Sequence, residues 1–359
     1  MGFHTYFANS YLEARQNFLI SCLDDATLIK SWQHPLRGMT GEKLYVDLAW
    51  FGSLAAQKVL ILLSATHGVE GFSGSGIQVG SLKTNWHKQA DNDVAIVMIH
   101  GLNPWGMSYC RRVNEDGVDL NRNFLDFKQP LPKNNIYYDL ADIIVPSEWT
   151  VETQRQTLQQ LFEYLYSHEF SAEAIAQGQY SHWYAPFYGG EVPAWSNRIF
   201  QRIVAQYLQD KQAVGLLDYH TGLGQYGTGQ LMGIDSDLHT TNLAAMIWGD
   251  KLVMTGSANS VAVYKPHGTL IAALQNNLDR SICLAAAYEF GTIPETEVFD
   301  ALRADRWLYY HGDVNSTQAR IIRQGMIDAF YSHDPDWQES ICHLAFTAQA
   351  ELLAGLKSL

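Results

Sequence analysis

The chain has 359 residues, 47% of them hydrophobic and 17% charged, enough for two average domains or one large α/β domain with a substantial core. Its 24 basic and 37 acidic side chains leave a formal charge of −13, which argues against nucleic acid or an anionic membrane as a partner. No apolar run approaches the roughly 18 residues that span a bilayer, and the first residues lack the basic start and apolar stretch of a signal peptide.

Short apolar runs alternate with helical patterns, which predicts an α/β fold with a largely parallel sheet. Cys22, Cys110, Cys283 and Cys342 are far apart and form no CxxC pair, so reduced thiols and a cytoplasmic location are expected. Val59–Leu63 reads as a buried strand leading into His67. The following Gly71–Gly76 segment is close to a serine-hydrolase elbow, but Ser75 stands where the final glycine of that pattern belongs. Val94–Ile99 is a second strand, leading to His100 and Asn103-Pro104. From about 127 to 195 the pattern is least regular. This aromatic-rich insertion holds Tyr180, Trp183, Tyr184, Phe187 and Tyr188, rings that either pack on the core or cover a pocket. Within it, Leu158, Leu161, Phe162, Leu165 and Tyr166 recur at helical spacing. Ile199, Phe200, Ile203, Val204, Tyr207 and Leu208 predict another helix, with Ser196 available as its N-cap. Val214–Leu217 is a third strand, ending at Asp218-Tyr219-His220, and Ile282–Ala287 a fourth, ending at Glu289. Ile321, Ile322, Phe330 and the final residues predict a helical C-terminus. No linker divides the chain, so one domain over 1–359 is expected.

Ligand sites in open α/β sheets collect beyond the carboxyl ends of strands, and four strand ends here carry His, Glu or polar loops. His67 and Glu70, three apart, can reach one metal ion from a single turn. A catalytic zinc takes three protein ligands and keeps a fourth position for water. His220 is the best-placed third donor, with Asp218 near enough to orient its imidazole. The water's proton needs a base, for which Glu289 on an apolar strand is the natural candidate. Arg112 supplies a cation for a developing oxyanion. Asn121-Arg122, inside Gly117–Phe124, can hold a carboxylate through charge-assisted, bidentate bonds.

These motifs resemble the zinc carboxypeptidase superfamily, whose members share His-x-x-Glu, a later His, Arg-x-Asn, Asp-x-Asn-Arg and a late Glu in this order. The resemblance runs from about residue 60 to 291, and its most specific part is Val118–Phe124. It implies a single α/β/α domain around a central mixed sheet of about eight strands, with one Zn2+ held by His67, Glu70 and His220. It further implies Arg112 as the carbonyl-polarising arginine, Asn121 and Arg122 as the carboxylate-binding pair, Glu289 as the general base and Tyr264 as a mobile substrate-binding tyrosine. The His-Gly-Val-Glu-Gly form departs from digestive carboxypeptidases. It is more similar to a bacterial branch near succinylglutamate desuccinylase and aspartoacylase. The implied substrate is a small peptide or an acylated amino acid with a free carboxylate. Carboxypeptidase action is favoured over N-acyl-amino-acid deacylation. A different class, a dinucleotide-binding oxidoreductase, is raised by Gly222–Gly227, which satisfies G-x-G-x-x-G after a strand. That motif requires a helix next, whereas the glycine-rich Thr228–Ile234 reads as loop or strand.

Overall fold

The most apolar runs of the chain form the middle of one sheet. A computed structural model describes residues 2–168, 173–234, 238–255, 257, 265–278 and 280–359. The chain begins with α1 (Tyr11–Cys22), a hairpin of β1 (Leu28–Arg37) and β2 (Lys43–Phe51), then β3 (Lys58–Leu63), α2 (Gly71–Lys83), β4 (Val94–His100) and α3 (Pro104–Ser108). The stretch that reads as irregular in sequence holds α4 (Ile136–Ile144), α5 (Val151–Ser167) and α6 (Glu173–Ala176). Next come α7 (Trp195–Tyr207), β5 (Ala213–Tyr226), β6 (Gly229–Gly233), α8 (Leu238–Trp248), β7 (Leu252–Met254) and α9 (Leu270–Asn277). The chain finishes with β8 (Ile282–Gly291), α10 (Glu295–Tyr310), α11 (Thr317–Phe330) and α12 (Pro335–Ser358).

The sheet has eight strands in the order β1-β2-β4-β3-β5-β8-β6-β7. It is parallel through β4, β3, β5 and β8, whereas β2 joins β4 and β6 joins β8 antiparallel. The sheet is therefore mixed, and the expected parallel arrangement is confined to its centre. Both faces are covered. Leu60 and Leu62 of β3 pack in one core with Ile77 of α2 and Leu352 of α12. Val59, Ile61 and Leu63 point the other way, into a core with Phe200 of α7 and Leu274 of α9. Alternation along a strand combined with helices on both faces explains why β3 is apolar without a break. Truncating Leu62 to alanine would cost about 2–5 kcal/mol.

The chain leaves β3 for β4 on one side and later returns to its other side as β5. Such a reversal opens a crevice at the carboxyl ends of the strands. The N-terminus of α7 corrects one expectation. Its N-cap is Ala194, and Ser196 lies buried within the helix, its Oγ without a hydrogen-bond partner among the described residues. The end is held instead from a distance: Asn123 Oδ1 accepts the Ala194 amide at 2.8 Å, and Asn197 Nδ2 donates to Asn123 O at 2.8 Å. Among the described residues no helix is long and apolar enough to cross a membrane.

Candidate metal centre and its cavity

The turn after β3 brings the first two donors together. Ala65 adopts a left-handed φ of 63°, which swings the chain away from the strand direction. Gly68 sits so close to the neighbouring loop that a Cβ would lie 2.1 Å from the Gly106 carbonyl carbon. Glu70 follows as the N-cap of α2, and α2 absorbs the elbow-like Gly71–Gly76 segment as buried helix. His220 lies on β5, and its register partner on β8 is Glu289.

His67, Glu70 and His220 are all buried, and one donor atom from each lies within 4.8 Å of the others. His67 Nδ1 is 2.9 Å from Glu70 Oε1, and His220 Nδ1 is 2.9 Å from Glu70 Oε2. The two Nδ1 atoms are 3.1 Å apart. Each ring turns its other nitrogen to a second carboxylate: His67 Nε2 to Asp119 Oδ1 at 3.0 Å, and His220 Nε2 to Asp218 Oδ2 at 2.8 Å. A carboxylate keeps a proton on the nitrogen that faces it, which leaves Nδ1 as the lone-pair side. Two lone pairs and a carboxylate then converge, and they repel one another unless a cation lies between them. Two imidazoles and one carboxylate therefore fit a divalent transition metal.

The surrounding charges reinforce this polarity. Arg112 Nη1 donates to Glu70 Oε1 at 2.8 Å and its Nε to Asp119 Oδ2 at 3.0 Å, so one guanidinium bridges both sides of His67. Burial works against ionisation of Asp119, but Arg112, His67 and Arg122 hold its carboxyl well below the ordinary value. Burial likewise opposes a charged His220, yet Asp218 and Glu70 hold its imidazole well above the ordinary value, so without an ion a proton takes the place on Nδ1 that a metal cation would fill. Thr66 Oγ1 donates to both Asp218 oxygens, at 2.8 and 3.0 Å, and fixes that carboxylate. Asp119 is the residue that sequence reasoning passed over. Its signal was an acid two positions before Asn121, in a motif whose neighbours are buried.

A cavity of about 270 Å3 adjoins the centre, and His67, Arg112, Asn121, Arg122, His220 and Glu289 all line it. Glu70 joins them through its bonds to His67, His220 and Arg112, while Tyr264 lies outside the described residues. Glu289 Oε1 accepts the Leu223 amide at 3.2 Å. Burial first, and then the Glu70 charge, push the Glu289 carboxyl up to about 8. Asn121 Oδ1 accepts the Leu270 amide at 2.9 Å. Arg122 donates from Nε and Nη2 to Ala176 O, at 3.2 and 2.7 Å, and from Nη1 to Asn121 O at 2.7 Å. The aromatic insertion contributes as well. Phe187, a bulky residue held at a left-handed φ of 59°, lines the cavity with its ring 5.7 Å from Arg112 and 5.8 Å from Arg122. Tyr180 packs inward and donates to Arg122 O at 2.7 Å, whereas Trp183 is exposed. The G-x-G-x-x-G stretch continues β5 as far as Tyr226 and is followed by β6, so it lacks the helix that a pyrophosphate site requires.

The profile of a family described as "Protein of unknown function (DUF2817)" matches residues 7–343. The chain belongs to that family. This DUF2817 chain is similar in structure to bovine thrombin-activatable fibrinolysis inhibitor, solved in complex with tick carboxypeptidase inhibitor. The TM-score is 0.52 and the identity 11%, with 98% of each chain covered. Carboxypeptidase A from Helicoverpa armigera aligns at 12% identity over 89% of the DUF2817 chain and 74% of its own, with a TM-score of 0.46. An aspartoacylase family protein from Mesorhizobium loti aligns at 14% identity over 82% and 70%, with a TM-score of 0.39. No curated protein sequence matches the chain. The first of these likenesses shows the fold: the chain shares the α/β architecture of that protein, here built on a mixed eight-stranded sheet.

Proposed function

We propose that this protein is a zinc-dependent hydrolase that cleaves an amide bond next to a free carboxylate, acting as a carboxypeptidase on peptides. One observation carries the reading: the His67–Glu70–His220 donor set meets Glu289, Arg112 and the Asn121-Arg122 pair at a single cavity. Zinc held by the three donors would acidify water and polarise a carbonyl. The other tasks fall to side chains of the chain itself.

Asn121 has its oxygen committed to the Leu270 amide, so its amide nitrogen is the donor toward the substrate carboxylate. Arg122, oriented by the Ala176 and Asn121 carbonyls, brings positive charge to the same end of the cavity. Met232, Ile271 and Ala287 line the wall nearby and suit an apolar side chain beside that carboxylate. Glu289 takes the proton of the attacking water and passes it to the leaving nitrogen. Burial and the Glu70 charge raise this carboxyl to about 8, which makes it a stronger base than an ordinary carboxylate. Arg112 offsets negative charge as the carbonyl oxygen develops it. A second reading, an N-acyl-amino-acid deacylase, uses the same groups and is favoured by the apolar wall of Leu161, Leu165, Val298 and Phe330 on the same cavity.

The test compares N-blocked dipeptides and N-acyl amino acids, each with a free or an amidated carboxylate, on the zinc-loaded protein. Turnover is expected only for free-carboxylate members, and Asn121→Ala should raise KM for them without changing metal content. Arg122→Lys should also raise KM, because an ammonium does not span the Ala176 and Asn121 carbonyls that hold the charge at this end of the cavity. Equal cleavage of free and amidated substrates would remove the carboxylate role. Failure to cleave any member would remove the hydrolase reading.

A further inference from the structure

Two apolar walls line the cavity, each drawn from a separate cluster, and they define its two lobes. Met232, Ile271 and Ala287 form the wall near Asn121, and all three belong to the apolar core on the α7 and α9 side of the sheet. The second wall is formed by Leu161 and Leu165 of α5, Val298 and Leu302 of α10, and Phe330 of α11, while Phe187 lies between it and the Arg112 and Arg122 guanidiniums. These residues belong to a separate apolar cluster built among α4, α5, α10 and α11. Thr221 and Gly222, which follow His220 directly, line the cavity between the metal centre and this second wall. A Cβ on Gly222 would come within 2.8 Å of the Phe330 ring and 3.6 Å of Val298, so the two are immediate neighbours of the centre. Phe162, Glu295 and Thr296 are exposed and also line the cavity, which places its mouth between α5 and the start of α10. Among the described residues, every charged side chain lining the cavity apart from Glu295 belongs to the metal centre or to the groups assigned to catalysis and carboxylate binding.

A substrate whose carboxylate is held at Asn121 places its scissile carbonyl at the metal centre, and whatever lies beyond the carbonyl continues past His220. We infer that the second lobe binds the acyl side of the substrate and that this side is a large apolar group. Two sources share this chemistry: an aliphatic or aromatic acyl chain on a single amino acid, and an apolar residue next to the last in a peptide. The inference rests on the proposed cleavage next to a free carboxylate, and it adds the identity of the group on the other side of the bond. The wall from α5 is what makes it particular to this chain, because the stripe Leu158, Leu161, Leu165 turns into the cavity.

The experiment is a calorimetric titration of the zinc-loaded Glu289→Gln protein, which binds without turnover, with N-acetyl-, N-butanoyl- and N-octanoyl-leucine. Affinity should rise by up to about fourfold for each methylene buried, and by at least a hundredfold across the series. Leu161→Trp should fill the lobe and flatten the series, so that N-octanoyl-leucine no longer binds more tightly than N-acetyl-leucine, and Val298→Trp should repeat the effect from the facing helix. The series on the unfilled protein decides the matter even if a tryptophan variant does not fold. Equal affinity along the series, or no binding of the octanoyl compound, would overturn the inference. Cleavage by the wild-type protein then judges the hydrolase reading separately: graded binding without cleavage keeps the lobe and removes the hydrolase. N-acetyl-Phe-Leu against N-acetyl-Gly-Leu separates the two sources, since a steeper gain there than along the acyl series assigns the lobe to peptides.

Discussion

Asp119 Oδ1 stands 3.0 Å from His67 Nε2, so the motif that carries Asn121 and Arg122 also holds the imidazole that opens the metal centre. The same carboxylate accepts Arg112 Nε at 3.0 Å and the Asn121 amide at 3.0 Å. One buried side chain thereby ties His67, Arg112 and the Asn121-Arg122 loop into a single unit. Replacing Asp119 by Asn keeps the shape but removes the charge that makes His67 a stronger donor. Zinc affinity should fall by about 10–100-fold, measured by competition with a chelator. Unchanged affinity would show that Asp119 only positions Arg112.

The donor set itself makes a stoichiometric prediction. Purified protein should hold about one zinc per chain, because three ligands define a single site. His67→Ala and His220→Ala should each lose most of it by elemental analysis. Full occupancy in both variants would refute the assignment.

Glu289→Gln separates chemistry from metal binding. The amide is nearly isosteric with the carboxyl but takes up no proton, so turnover should drop by about a hundredfold or more while zinc content holds. If turnover persists in this variant, another group is the base.

His100 predicts a pH dependence of stability away from the centre. It is fully buried, stacked at 4.6 Å on Phe18, with Ser75 Oγ 2.9 Å from its Nε2. Burial depresses its pKa from 6.5 to about 4, with Arg15 adding to the effect and Asp47 opposing it. The unfolded chain therefore takes up this proton first as pH falls. Stability should be whole above about 6.5 and should decline between about 6.5 and 4, by up to roughly 3 kcal/mol from this group. Denaturant melts across that window should be shallower in pH for His100→Gln, and identical pH profiles for both proteins would exclude His100 as the cause.

Much of the fold was readable because the apolar runs are local and strong. Val59–Leu63 and Val94–Ile99 are β3 and β4 in the parallel centre of the sheet, and the stripe from Leu158 to Leu165 is helical as its spacing predicts. The donors were readable too, since His67, Glu70 and His220 converge as their motif implied. The α4 helix carries such a stripe as well, Ile136, Tyr137, Leu140, Ala141 and Ile144, and was passed over because its neighbours on either side read as irregular. Spacing shows that Leu161 and Leu165 share a face but not that the face looks into a cavity.

Sequence alone determined which segments are strands and which side chains are chemically able to hold a metal, because both follow from residue type and short-range spacing. Tertiary structure alone decided the relationships between distant segments. It set Asp119 behind His67, fastened the start of α7 to Asn123 rather than to Ser196, and turned Arg122 onto the Ala176 carbonyl. It also brought the apolar walls of α5 and α10 to the cavity that His220 lines. The reason is physical. A buried polar group must find a partner wherever the packed chain brings one, and a cavity is the space that separate elements leave between them. Neither is a property of any single stretch of sequence.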